Sequence, residues 1–214
     1  MTVSSVRGLA AAAIVLCLVA SKALAVPSSR IERNGSIALS GGVGYGIATG
    51  DSRFGADFDQ GLGIDFQLRY VLNPHWSMGL GFQSQVYDAN DAAAAKGEEK
   101  LQMTDIRFDT FFYRDRSKDA SQYLVLGIGL YRPEIQYQEN NISFPGENLE
   151  LSAGLGAEVF IGETWGLELA GRAITYFGDG LSPEEEHDPN VPTPPSNVTL
   201  ALRGQAGLFF YITR

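Results

Sequence analysis

Hydrophobic and polar residues alternate with a period of two along most of the chain. In the clearest segment, Gln60 to Tyr70, large apolar residues occupy the even positions from Leu62 onward, and polar residues or glycine occupy the odd positions. Successive side chains of a β-strand point to opposite faces. The pattern therefore predicts a strand that separates an apolar environment from a polar one.

The same alternation recurs and predicts eight strands. They cover approximately residues 36–47, 60–70, 76–87, 102–113, 122–137, 150–160, 165–177 and 198–212. Each is long enough for the roughly 9–11 tilted residues with which a strand crosses a membrane. The links between them alternate in length: Asn73-Pro74 marks a tight turn, residues 178–197 form a long polar loop, and Arg114 to Ser121 is intermediate. An even number of strands with short turns at one end and long loops at the other is typical of an outer-membrane β-barrel.

Alternation alone does not determine which face points outward, because a soluble ligand-binding barrel has the same period with its apolar face inward. Here the polar face is rich in glycine, alanine and serine, which suits a narrow lumen better than a solvated exterior. Aromatic residues also lie near the predicted strand ends, where a membrane-interface girdle is expected. They are Tyr45, Tyr70, Trp76, Tyr123, Trp165, Phe177 and Phe210. These features predict an apolar face turned towards lipid.

The inward face also carries charged residues of both signs. Five acids and four arginines fall on it: Asp65, Asp105, Asp109, Glu158, Glu168, Arg69, Arg107, Arg172 and Arg203. The interior of an eight-stranded barrel is about filled by its own side chains, and buried charges must pair to be tolerated. A selective conduit carries mainly one sign of charge. The near-balance therefore predicts a salt-bridge network that closes the lumen.

The N-terminal segment predicts a signal peptide. Arg7 precedes an apolar run from Leu9 to Ala20, and Ala23-Leu24-Ala25 supplies a small-x-small cleavage site. The run is shorter than the roughly 20 residues of a membrane-spanning helix. We expect residues 1–25 to be removed and residues 26–214 to form the barrel domain. The single cysteine, Cys17, lies in the removed segment, so the mature chain has neither disulfides nor zinc thiolates.

The chain is acidic. It has 16 basic and 25 acidic residues, and loss of Arg7 and Lys22 with the signal peptide would leave a net charge of −11. Nucleic-acid binding requires a basic face, so that class of partner is excluded. The charge is compatible with acidic loops on an outer surface.

Catalytic and metal-binding patterns are weak. Lipid-modifying barrels need a serine with a histidine base, and the sequence has only His75, in a predicted turn, and His187. His187 adjoins Asp188 and shares its loop with Ser182 and Ser196. We interpret this segment as a solvated acidic loop and expect no enzymatic activity and no cofactor.

A run of acidic residues in the same loop could attract a divalent cation. Carboxylate oxygens suit hard cations, but the consecutive residues 184–188 lack the spacing and the glycine of a calcium loop. We therefore expect no metal site.

The predicted signal peptide, the eight strands, the turn Leu72-Asn73-Pro74-His75-Trp76 and the acidic loops together resemble the small outer-membrane barrels of the OmpA transmembrane-domain and OmpX type. The resemblance covers nearly the whole mature chain. It implies an all-β, eight-stranded antiparallel up-and-down transmembrane barrel in the bacterial outer membrane, in contact with lipid and lipopolysaccharide.

The last predicted strand also resembles the signal that the outer-membrane assembly machinery recognises. Gln205, Gly207, Phe210 and Ile212 match its polar, glycine, aromatic and hydrophobic positions. These proteins usually end in an aromatic residue, whereas this chain continues to Thr213-Arg214. This difference at the C-terminus concerns how the assembly machinery would recognise the strand.

These features predict a monomeric, non-enzymatic barrel with a structural or surface-interaction role. A narrow porin-like channel for small solutes is the main alternative. A lipid A-modifying enzyme and a soluble ligand-binding barrel are further alternatives.

Overall fold

The computed structural model describes residues 33–49, 53–95, 97–116, 119–137, 141–143, 148–177 and 198–212. The predicted signal peptide, residues 1–25, and the acidic loop that contains His187 lie outside the described residues.

Long β-strands make up most of the described chain. They are β1 (Ile37–Thr49), β2 (Phe58–Asn73), β3 (Trp76–Ala89), β4 (Glu98–Arg116), β5 (Ala120–Tyr137), β6 (Asn141–Ser143), β7 (Asn148–Phe160), β8 (Trp165–Phe177) and β9 (Val198–Ile212). Two short helices, α1 (Arg53–Asp57) and α2 (Asp91–Ala94), lie in the links before β2 and β4. In the described ranges, no helix has the length and apolar character needed to span a membrane.

Antiparallel pairing closes the long strands into a cylinder. Each long strand pairs with its neighbours, and the ring closes because β9 pairs with β1. Ile37 therefore lies opposite both Tyr70 of β2 and Ile212 of β9. The short strand β6 pairs only with Glu134–Gln136 of β5 and is not one of the barrel strands. The prediction of a closed eight-stranded antiparallel up-and-down barrel is confirmed.

The links alternate between the two ends of the cylinder as predicted. One end, here called the turn end, has the links 74–75, 117–119 and 161–164 and both ends of the barrel chain. The opposite loop end has the links 50–57, 90–97, 138–147 and 178–197. β4 and β5, with 19 and 18 residues, are longer than the pattern predicts. The link between them is consequently short, at residues 117–119.

The outer face of the cylinder is apolar and the inner face polar. Val43, Leu62 and Leu155 are 64%, 69% and 68% exposed, whereas Arg107 and Asp109 are completely buried. A contiguous apolar belt of this extent suits lipid and not water. This arrangement excludes the soluble-barrel alternative, in which the apolar face points inward.

One member of the predicted aromatic girdle was assigned to the wrong face. Tyr70, Trp76, Trp165 and Phe210 are outward and between 37% and 49% exposed near the turn end. Tyr123 is only 3% exposed. It lies on the inward face of β5, where its hydroxyl donates a hydrogen bond to a carboxylate.

Candidate functional site

The barrel interior is filled by charged and aromatic side chains. All nine charged residues assigned to the lumen from the sequence are there, and none is more than 4% exposed. They are Asp65, Arg69, Asp105, Arg107, Asp109, Glu158, Glu168, Arg172 and Arg203. Three of the four arginines form hydrogen-bonded layers, described here from the turn end towards the loop end.

The layer nearest the turn end is centred on Arg69. Its Nη1 lies 2.5 Å from Glu158 Oε1, and its Nη2 lies 2.6 Å from Glu168 Oε1. The guanidinium also stacks over the Phe111 ring, 4.4 Å from the centroid. Two carboxylates and an aromatic face therefore surround this one cation, which compensates for its burial.

Tyrosine hydroxyls complete the hydrogen bonding of this layer. Tyr113 and Tyr211 each donate to Glu158 at 2.9 Å, and Tyr123 donates to Glu168. Sequence reasoning did not include these tyrosines in the network. Their positions along the strands were the available signal. Each tyrosine is an even number of residues away from a position of its own strand that is predicted to face inward, and such residues share a face.

The middle layer is a bidentate ion pair. Arg172 Nη1 and Nη2 donate to the two oxygens of Asp109 at 2.8 and 2.9 Å. Gln67 Nε2 donates to Asp109 Oδ2 at 2.6 Å. Fork-to-fork pairing of this kind is among the strongest side-chain hydrogen-bonding arrangements.

The layer nearest the loop end is centred on Arg107. It donates to Asp105 at 2.5 Å, to Asp65 at 2.8 Å and to Gln83 at 2.7 Å. Glu150 is also completely buried here, with Oε1 3.7 Å from Arg107 Nε. The predicted network does not include Glu150, which is the first residue of its predicted strand. Its position two residues before the inward-facing Ser152 places it on the inward face.

Arg203 is buried in the lumen without belonging to a hydrogen-bonded layer. Among the described residues, none of its three guanidinium nitrogens has an acceptor within hydrogen-bond distance. The guanidinium lies against Gly44 of β1, where a Cβ atom would collide with it. Glycine at this position makes room for the arginine.

Apolar clusters flank the charged layers at both ends. The loop-end cluster contains Phe54 of helix α1 and ten residues of the barrel strands: Ala48, Phe58, Tyr87, Leu101, Met103, Tyr131, Ile135, Ile174, Tyr176 and Ala201. The turn-end cluster contains Ala38, Val71, Phe209 and Tyr211, with Phe160 packed against it. Sequence reasoning did not find these clusters.

Arg33 covers the turn-end cluster. Its guanidinium lies 3.9 Å from the centroid of the Phe160 ring and 4.5 Å from that of Tyr211, and it donates to the carbonyl oxygen of Glu163 at 2.9 Å. It is only 4% exposed.

A lumen cavity lined by Ser40, Gly42, Asp65 and Gln205, among others, measures about 10 Å³. This volume accommodates about one water molecule.

The four residues assigned to assembly lie on two faces of β9. Gln205 and Gly207 are half-buried and face inward, whereas Phe210 and Ile212 face lipid and are 48% and 54% exposed. Their role in assembly stays a prediction.

The histidine that the structure describes is in a turn. His75 Nδ1 lies 3.2 Å from the carbonyl oxygen of Tyr113, and its backbone N–H donates to Asn73 Oδ1. Within the described part of the chain, no group of three histidine, cysteine or acidic residues is placed to hold a metal ion.

A closed barrel with an apolar exterior and a charged, tightly filled interior defines the class of integral outer-membrane β-barrel proteins. The family model of the outer membrane protein beta-barrel domain matches residues 9–191. The chain therefore belongs to this family, and it is a protein of the bacterial outer membrane, embedded in its lipid.

Solved structures share the fold at low sequence identity. Neisserial surface protein A is 13% identical, with a TM-score of 0.59 over 83% of this chain and 99% of that one. OprG from Pseudomonas aeruginosa is 12% identical, with a TM-score of 0.53 over 85% of this chain and 98% of that one. No curated protein matches the sequence.

Proposed function

We propose that this chain is a non-enzymatic barrel with a structural or surface-interaction role, and that its lumen is closed. The observation that carries the proposal is the stack of three arginine-centred layers between two apolar clusters. Arg69, Arg172 and Arg107 each bind carboxylates across the lumen. An ion could cross the lumen only by separating these arginine–carboxylate pairs, which fill the space that it would need.

The energetics support a closed lumen. Breaking a buried ion pair by removing one partner costs about 3–5 kcal/mol, since the other charge is left uncompensated. The lining also carries both signs, whereas a selective pore presents mainly one. With the lumen filled, the proposal places surface interactions at the loop end.

Planar-bilayer recording tests the closed lumen. Purified, folded barrel should give no steady conductance over long recordings. Steady unitary currents from the wild-type protein would instead establish the narrow-channel alternative. A gel-shift check on the same preparation shows that the protein added to the bilayer was folded.

The non-enzymatic part of the proposal is tested on lipid A. Mass spectra of lipid A from cells with and without the protein should be identical. A mass change that depends on the protein and disappears in H187A would support the lipid-modifying alternative.

The proposal includes contact with lipopolysaccharide, a monomeric barrel and recognition of β9 by the assembly machinery. Closure supports the monomer, because a closed barrel leaves no unpaired barrel edge for a second copy.

For assembly, F210A should slow insertion into the outer membrane more than V198A does. Val198 is a matched control on the same strand, 46% exposed at its opposite end. Equal insertion rates would argue against a signal at Phe210.

A further inference from the structure

Carboxylates outnumber guanidiniums in the lumen. Between the two apolar clusters lie six buried carboxylates and four buried guanidiniums, none more than 4% exposed. The carboxylates are Asp65, Asp105, Asp109, Glu150, Glu158 and Glu168. Arg33 at the turn end adds a fifth guanidinium, which still leaves one carboxylate in excess. An uncompensated charge in a closed lumen is costly, and such a group is commonly neutralised instead.

Glu150 is the carboxylate with the poorest set of partners. It is completely buried, and neither of its oxygens accepts a hydrogen bond from any described residue. Glu158 is equally buried but accepts from Arg69, Tyr113 and Tyr211. A carboxylate in an apolar or low-dielectric site needs such donors to stay ionised. The two glutamates of β7 therefore differ in what their surroundings can support.

The groups that face Glu150 are of mixed charge. Arg107 and Arg172 attract its ionised form, and Asp105 and Asp109 repel it. Both arginines already hold other carboxylates at 2.8 Å or less, whereas Arg107 Nε is 3.7 Å from Glu150. Two phenols also interact with Glu150, Tyr176 on β8 and Tyr87 on β3, and Arg203 interacts with both phenols. These surroundings do not supply a cation dedicated to Glu150.

We propose that Glu150 is a proton-binding site of the folded barrel. Its carboxylate takes up one proton from water as the barrel closes, and it is a neutral carboxylic acid inside the lumen. Burial and the neighbouring Asp105 and Asp109 carboxylates favour this neutral form, because they disfavour a further negative charge beside them. The proposal rests on the closed lumen proposed above, because a hydrated pore would allow Glu150 to remain ionised.

Proton uptake makes stability depend on pH in a defined direction. Where Glu150 is protonated in the barrel and ionised in the unfolded chain, the folded state binds one more proton. Its contribution to stability is present at low pH and is lost as pH rises. The folding equilibrium constant should then fall about tenfold per pH unit from this site.

The test compares E150Q with E158Q by equilibrium urea unfolding in detergent micelles, from about pH 5 to about pH 9. Glutamine is nearly isosteric with a neutral glutamic acid. The free energy of unfolding of E150Q should match that of the wild type at the acidic end and exceed it at the alkaline end. Its dependence on pH should be smaller than that of the wild type by the equivalent of about one proton. E158Q should be destabilised throughout. If E150Q keeps the wild-type slope, or is destabilised as much as E158Q, the proposal is wrong.

An infrared measurement gives a direct readout that does not depend on unfolding. The folded wild type at neutral pH should show the carbonyl stretch of a protonated carboxylic acid. E158Q should keep this band and E150Q should lack it. Absence of the band from a non-conducting wild-type barrel would overturn this proposal and leave the closed lumen standing, whereas steady conductance would overturn the closed lumen.

A sodium-free arm separates proton binding from metal-ion binding. Replacement of sodium by choline should leave the unfolding curves and the infrared band unchanged. If the wild type loses stability in choline and E150Q does not, the site binds a sodium ion, and the proposed proton uptake is wrong.

Discussion

At the scale of single residues, the four lumen arginines have different numbers of partners. Arg69 binds two carboxylates and stacks on Phe111, whereas Arg203 has no hydrogen-bond acceptor among the described residues. Burial is nearly the same for both, at 1% and 3% exposure. Their contributions to stability should therefore differ because of pairing and not because of depth.

This difference predicts the outcome of matched substitutions. R69M should lower the free energy of unfolding by about 3–5 kcal/mol, because it leaves Glu158 and Glu168 buried without their cation. R203M should cost clearly less, because no hydrogen bond is lost. Urea unfolding of both variants checks this. Equal losses would show that Arg203 has partners of comparable strength.

A second residue-scale prediction uses two tyrosines that look equivalent in the sequence. Y123F removes the hydroxyl that donates to Glu168 and should destabilise the barrel by about 1–3 kcal/mol, the cost of leaving a buried acceptor without its donor. Y70F, on the lipid-facing side where Tyr70 is 49% exposed, should be close to neutral. Thermal unfolding of both variants in one detergent measures the difference. A neutral Y123F would mean that the lumen readily replaces that donor.

At the scale of the element, β1 shows how glycines shape the lumen wall. A Cβ on Gly42 would lie 2.5 Å from the carbonyl oxygen of Ala206 and 2.9 Å from Gly207 Cα, both backbone atoms. A Cβ on Gly44 would instead meet the guanidinium of Arg203, the far end of a flexible side chain. The first obstacle cannot move without shifting β9, whereas the second can.

Alanine substitutions on β1 should reveal this difference. G42A should cost about 1–3 kcal/mol of unfolding free energy, as overpacking does in well-packed interiors, and G44A should cost less. In an R203M background, G44A should cost little relative to R203M alone, whereas G42A should cost as much as it does in the wild type. The double-mutant comparison fails if R203M rescues both variants or neither.

The same scale shows what the sequence could predict. The positions of the strands follow from the period-two pattern, because each strand of this barrel presents one apolar and one polar face. The outward face follows from the small and charge-balanced residues opposite it, and the antiparallel up-and-down order from the resemblance to small outer-membrane barrels. The loop-end cluster does not follow, because inward residues such as Met103, Ile135 and Ile174 are apolar and weaken the alternation where the lumen closes. Individual ion pairs also do not follow. Arg69 and Glu158 are 89 residues apart, and their meeting depends on barrel geometry that alternation does not encode.

At the scale of the whole molecule, the closed hydrogen-bonded ring and the filled interior should make the barrel resist SDS until it is heated. Outer-membrane fractions should therefore give two mobilities on a gel, one before and one after boiling. R69M should convert to the slower, unfolded form at a lower temperature than the wild type. A single mobility under all conditions would contradict a kinetically stable barrel.

The pairing of β1 with β9 has a consequence for the order of events in folding. Its register runs from Ile37 opposite Ile212 to Thr49 opposite Leu200, so it joins the two ends of the barrel sequence. Contacts between such distant segments form slowly, because a long loop must close before they contribute. Until β9 arrives, β1 is an open edge able to pair with another chain. The interval between synthesis of β1 and closure is therefore the period in which this chain is most vulnerable to aggregation.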